Sequence, residues 1–166
     1  MDTIKPIFKA GPIKDVNGLL VALNITNAEL SEALNLKPAQ RYSDPKKPVI
    51  KKDGSVRKIK NPCGLIRKIQ SRINRRINKS CVLWPSYLFG SIPRNEKTGV
   101  RDYVSCAAVH CQSRSILKID ISSFFDRIHY DHVKSIFSGL FRYSDEVADI
   151  VSNLCCYEPD GSPEIT

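Results

Sequence analysis

In the stretch SILKIDISSFFDRI, residues 115–128, the branched apolar residues Ile116, Leu117, Ile119 and Ile121 surround a single carboxylate, Asp120. The pattern predicts a short strand buried on both faces. An ionised carboxylate left alone in such a core costs several kcal/mol, on the order of a broken ion pair. Asp120 is therefore expected at a rim, where a cation or a set of donors can meet it. With Phe124 and Phe125 beside it, the chemistry that fits is a metal ion bound to phosphate. The plainer reading is a strand-end aspartate that caps the next turn. Asp126 has the same two readings, an outer group of the site or the start of a turn.

Charge points to the partner. The chain of 166 residues carries 26 Lys+Arg against 17 Asp+Glu, a formal net charge of +9. Residues 41–80 hold 14 of the basic residues and 2 of the acidic ones, so this segment has a net charge of +12 and the remainder −3. A concentrated basic block inside a foldable pattern fits a polyanion, above all nucleic acid. A merely solvated face usually mixes signs. No run reaches the length of a membrane span and no signal pattern opens the chain, so a soluble, cytoplasmic protein with no membrane partner is expected. The six cysteines show no CxxC pair, which favours reduced, mostly buried thiols.

The elements that would position these residues follow from periodicity and punctuation. Residues 1–44 read as a small helical extension, with helices at Val16–Leu23 and Asn27–Leu36. Thr26 and Glu29 are placed for a capping box on the second. Residues 45–62, PKKPVIKKDGSVRKIKNP, read as a basic hairpin turning at Asp53-Gly54. Alternation puts Arg57 and Ile59 on one face and Lys58 and Lys60 on the other. Edge lysines also block strand pairing, so the hairpin alone says little. Residues 63–80 give a helix whose Ile66, Ile69, Ile73 and Ile77 lie on one face, with Arg67, Lys68, Arg72, Arg75, Arg76 and Lys79 around it. A membrane-surface helix is the weaker alternative, because the apolar face is narrow and lacks aromatics.

Further on, Val104–Cys111 reads as a packed helix. Its Cys106, His110 and Cys111 match no common zinc spacing. Residues 131–140 are predicted to be helical, burying Val133, Ile136, Phe137 and Leu140. Ser144 caps a last helix with Val147, Ile150, Val151 and Leu154 inside. One strand and two helices do not finish a sheet, so the pattern reads as the front part of a larger unit.

Taken in order, residues 41–157 resemble a bacterial reverse transcriptase of the retron/group II intron type. KKDGSVRKIKNP with LIRKIQSRINRRI, LFGSIPR with the downstream His110, and LKIDISSFFDRI carry the resemblance. It implies an α+β polymerase right-hand fold: fingers over 45–114, the start of a palm over 115–166, and the extension at 1–44. It implies that Asp120 is a catalytic metal ligand, with the Ile121 backbone carbonyl beside the ion. Phe125 would be a steric gate against the 2′-hydroxyl, and Arg57 and Lys51 would close on the triphosphate. Arg67, Lys68, Arg72, Arg75 and Arg76 would lie near nucleic-acid backbone, with Gln70 structural or close to the template. The implied cofactor is Mg²⁺, with Mn²⁺ as a substitute. The implied partners are an RNA template, a DNA or RNA primer and dNTP, with a structured non-coding RNA and an effector protein in antiviral defence. Such chemistry uses two divalent ions about 3.5–4 Å apart, and Mg²⁺ shares oxygen ligands with substrate phosphates.

The family's second metal motif, an aromatic-Ala-Asp-Asp, is missing, and no two aspartates are adjacent anywhere in the sequence. The expectation is that this polypeptide alone does not polymerise. The alternative is a non-catalytic RNA-binding module derived from the same fold. An RNA polymerase of similar palm design is disfavoured by Phe125.

Overall fold

The computed structural model describes residues 5–57, 59–92, 100–122, 124, 127–157 and 164–165. Lys58, Phe125 and Asp126 lie outside the described residues, so the face predicted for Lys58, the gate and the Asp126 alternatives have no structural account. The described residues mix helices with short antiparallel strand pairs, compatible with the expected α+β class.

The helical extension forms as its caps dictate. Helix α1 spans Val16–Leu23, with the Asp15 carboxylate accepting from the Gly18 N–H at 2.8 Å. Helix α2 spans Asn27–Asn35 and carries the expected capping box: Thr26 Oγ1 accepts from Glu29 N–H, and Glu29 Oε2 accepts from Thr26 N–H. A short helix α3, Pro38–Arg41, leads into strand β2, Tyr42–Ser43. Strand β1, Ile7–Phe8, pairs antiparallel with β4, Val82–Leu83.

Among the described residues the basic ribbon is a hairpin paired at its base and at its tip. At its base β2 pairs with β3, Asn61–Pro62; at its tip there is one bridge, Ile50 with Val56. Pro45 and Pro48, on the first side of the ribbon, cannot donate to a ladder.

Helix α4 runs over Gly64–Arg72, continues as a π-helical stretch over Ile73–Asn78 and ends in a helical turn at Lys79–Cys81. Its four isoleucines are all buried, as their spacing predicts. Four residues of α-helix turn through about 400°, so steps of four drift by about 40°, and wider π turns can absorb that drift. The same device recurs after α6, Tyr130–Ser135, which passes into a π stretch over Ile136–Leu140. There Val133, Phe137 and Phe141 form the inner face. Ile136, expected inside, is 48% exposed. An α-helical wheel misplaced it because the local turn is not α-helical.

Helix α7, Asp145–Cys155, is capped by Ser144 Oγ as expected and buries Val147, Val151 and Leu154. Strand β5, Cys156–Tyr157, pairs with β6, Glu164–Ile165. One core joins α1, α2, α4 and α7 with an aromatic group of Phe8, Phe137, Phe141 and Tyr143.

Further expectations fail. The run at 116–121 is not a strand: Ile116, Leu117, Ile119 and Ile121 are 67%, 83%, 78% and 61% exposed. Residues 115–121 make no backbone hydrogen bond to any described residue. A central strand exists only when neighbouring strands accept its N–H and C=O groups and cover its faces; the described residues offer neither. Helix α5, Tyr103–Val109, does form, capped by Asp102, but Tyr103, Val104 and Val109 are exposed and the helix is not packed into the core. His110, at the end of this helix, is exposed as well. Nor are the thiols mostly buried. None of the six is in a disulfide, yet only Cys156 is buried and Cys111 is exposed. Among the described residues no helix is long and apolar enough to cross a membrane.

Candidate nucleic-acid interface

The tip of the ribbon is a three-residue loop, Lys52–Gly54. Lys51 N–H donates to the Ser55 carbonyl at 2.8 Å and Gly54 N–H to the Lys51 carbonyl at 3.0 Å. Gly54 sits at φ +82°, the left-handed conformation that such loops require at their third position. The Asp53 carboxylate accepts from the Ser55 N–H at 2.9 Å and the Ser55 hydroxyl at 2.7 Å. Those bonds, the hydroxyl first, hold its pKa below the usual carboxylate range. The acid is thereby turned back onto its own loop. Lys51, Lys52 and Arg57 remain exposed, and none pairs with an acidic group among the described residues. A short ribbon presenting three cations can meet phosphate oxygens.

The basic helix is less open than its composition implies. Lys68 forms an ion pair with Glu29 on α2, which pulls the Glu29 carboxyl below its ordinary range together with the Thr26 N–H bond. Arg72 donates from Nη1 to the carbonyls of Leu23 and Asn24, and Arg76 donates from Nε to Ala22. These are end carbonyls of α1, which has no basic residue in its own last turn. Two guanidinium groups from a neighbouring helix thus satisfy its orphan acceptors and complement the negative end of its dipole. Gln70 donates from Nε2 to the Tyr42 hydroxyl and the Leu154 carbonyl, both at 3.0 Å, and so ties α4 to β2 and α7. Arg67 is exposed with one long contact to the Pro62 carbonyl at 3.3 Å. Arg75 is exposed, and its side chain bonds to no described residue.

The structure therefore sorts the candidates. Lys51, Arg57, Arg67 and Arg75 are open to a partner, whereas Lys68, Gln70, Arg72 and Arg76 spend at least part of their hydrogen-bonding capacity inside the fold. Two further arginines stood out in no sequence pattern. Arg41 holds the turn after α2, donating to Leu36 and Leu34 carbonyls at 3.0 and 2.9 Å and to Asn153 Oδ1 at 2.8 Å. Arg101 gathers the carbonyls of Trp84, Pro85 and Leu88 and so shapes the loop that opens the LFGSIPR stretch. Only tertiary geometry reveals them, because an arginine that serves distant carbonyls has no local signature. Lys60 is likewise engaged, with Asp44 Oδ1 at 2.7 Å and the Tyr157 ring centroid at 5.7 Å.

Asp120 lies on exposed backbone beside exposed Ile121, with Phe124 46% exposed. Among the described residues no three His, Cys, Asp or Glu side chains come together. One exposed carboxylate does not hold a pair of divalent ions, so the described residues by themselves do not fit a two-metal centre.

Over 160 residues, 93% of the chain, the sequence is 41% identical to the retron Ec48 reverse transcriptase of Escherichia coli. Over 150 residues, 90% of the chain, it is 30% identical to the retron Se72 reverse transcriptase of Salmonella heidelberg (strain 579083-10). The matches take in 39% and 37% of those proteins, so the chain spans about two fifths of the length of the curated relatives it matches. No protein-family model matches the chain, and no solved structure does. The basic ribbon, the helix behind it and the Asp120 stretch are, over the matched length, those of a chain related by sequence to the retron-type reverse transcriptases.

Proposed function

We propose that this chain is the template- and nucleotide-gripping part of an RNA-directed DNA polymerase of the retron type, acting in antiviral defence. The observation that carries the reading is the 41% identity to a retron reverse transcriptase across 93% of the chain. In this reading residues 45–114 are the fingers, 115–166 begin the palm of a right-hand fold, and 1–44 are an extension. The run at 116–121 becomes a strand once neighbouring strands of the complete palm pair with it. Lys51 and Arg57 close on the triphosphate of the incoming dNTP, and Phe125 excludes ribonucleotides. Arg67 and Arg75 follow the backbone of an RNA template or its primer. A structured non-coding RNA and an effector protein are the further partners. Asp120 and the Ile121 carbonyl are one part of a Mg²⁺ site whose other ligands come from elsewhere in the polymerase.

One assay tests the site. In the full-length polymerase, Mg²⁺-dependent dNTP incorporation on an RNA template is abolished by Asp120→Ala, while Phe125→Ala admits ribonucleotides. Retained incorporation in the first variant would sink the metal role, and unchanged sugar selectivity in the second would sink the gate. The isolation of Asp120 among the described residues favours a second reading, a non-catalytic RNA-binding module. It predicts RNA binding with no incorporation, indifferent to Asp120→Ala.

A further inference from the structure

The N-terminal segment and the C-terminal end of the basic helix enclose a cleft of about 370 Å³, with Phe8, Ile13, Arg76, Ile77, Ser80 and Tyr143 among its lining residues. The polymerase reading gives it no role. Its walls are largely apolar, and the Phe8 and Tyr143 rings meet edge to face at 5.8 Å. Small-molecule sites are built this way, from about 300 Å³ upward, with a few placed polar groups.

Three such groups are present. Tyr143 is only 5% exposed, yet its hydroxyl makes no hydrogen bond to any described residue. Buried hydroxyls are normally bonded, so this one calls for a partner. Burial, assisted by nearby Cys81, raises its pKa above the ordinary phenol range, which keeps it a neutral donor. Arg76 commits Nε to the Ala22 carbonyl, and its two terminal nitrogens have no partner among the described residues. Ser80 donates its hydroxyl proton to the Arg75 carbonyl at 2.8 Å, and its oxygen can still accept. An apolar slot is thus lined by a buried phenol and by a guanidinium with terminal nitrogens to spare. A guanidinium matches phosphate oxygens, and the cleft borders the helix that carries exposed Arg75.

We infer that this cleft binds a nucleoside 5′-phosphate unit, with the base between the apolar walls, its polar edge on the Tyr143 hydroxyl and the phosphate on Arg76. The unit is either a free nucleotide or an unpaired nucleotide of a bound RNA, the form in which proteins read RNA bases. The RNA source rests on the polymerase reading above; the free nucleotide does not.

The test is calorimetric titration of the intact protein with AMP, GMP, CMP and UMP. A parallel series uses an RNA hairpin carrying one unpaired nucleotide and its fully paired control. Tyr143→Phe keeps the ring and removes one hydrogen bond, so nucleotide affinity should fall about tenfold with no loss of thermal stability. Arg76→Gln should weaken nucleotides but not nucleosides. Because Arg76 also serves α1, Ala10→Phe, which fills the cleft from a loop, is the independent blocking variant. Binding of free nucleotides that all three variants weaken assigns the free source. Preference for the unpaired nucleotide over the paired control, lost in the variants, assigns the RNA source. If neither nucleotide affinity nor that preference exists, or neither responds to Tyr143→Phe and Ala10→Phe, the inference is overturned. The paired control reports on the polymerase reading separately. Its binding without any nucleotide preference would defeat the cleft alone, and its failure to bind while free nucleotides do would defeat only the RNA reading.

Discussion

Gln70 shows how one polar side chain can be read two ways. On the sequence it belongs to a basic helix offered to nucleic acid; in the structure its amide bridges the Tyr42 hydroxyl and the Leu154 carbonyl. Leu154 is in the last turn of α7, so its carbonyl is one of the acceptors the helix itself cannot satisfy. Removing the amide should strand a buried acceptor, at a cost of about 1–3 kcal/mol. Gln70→Ala is therefore expected to lower the urea midpoint while leaving RNA affinity of the folded protein close to wild type. Weakened RNA binding at unchanged stability would instead place Gln70 at the template. Arg72 and Arg76 also bond to carbonyls of another helix, Arg76 through Nε alone. The sequence shows that these residues carry charge, but which oxygen receives it depends on the packing of α1 against α4.

At the level of elements, the ribbon tip stands on Gly54 at φ +82° and on the Asp53–Ser55 bonds. A β-branched residue in the left-handed region costs roughly 1–2 kcal/mol or more. Gly54 has open space around the position of a Cβ, so conformation and not crowding is the obstacle. Gly54→Val should remodel the loop that carries Lys51 and raise the KM for dNTP in the full-length polymerase. Global unfolding should move little, because the exposed tip lies away from the buried core. A large drop in the melting temperature without an effect on that KM would contradict the assignment of this loop as a binding element. Helices α1, α2, α4 and α7 were legible because each carries its own stop or start signal, or a stripe of apolar residues, within a few positions. Helix α5 was legible as a helix but not as an exposed one.

For the whole molecule, the decisive quantity is how many of the cations at 41–80 remain available. Phosphate contacts release counterions, so the logarithm of the binding constant falls with the logarithm of salt, by about 0.7 per contact for single strands and 0.9 for duplex DNA. Removing Arg67 and Arg75 together should reduce that slope by about 1–2. Arg72→Ala should act mainly on stability, because its guanidinium already bonds to α1. Equal effects of the two changes on the slope would show that the internal bonds open when RNA binds.

The sequence by itself determined what is local: the caps at Thr26 and Ser144, the turn at Asp53-Gly54, the buried isoleucines of α4 and the placement of the positive charge. Those features depend on residues within one or two turns of each other, so spacing suffices. Tertiary structure decided which arginines face solvent, where π turns redirect Ile136, and that Ile116–Ile121 stays open. A cation's partner and a strand's neighbours lie far away in the chain. A β-branched run encodes willingness to be a strand, but its hydrogen bonds belong to whatever pairs beside it.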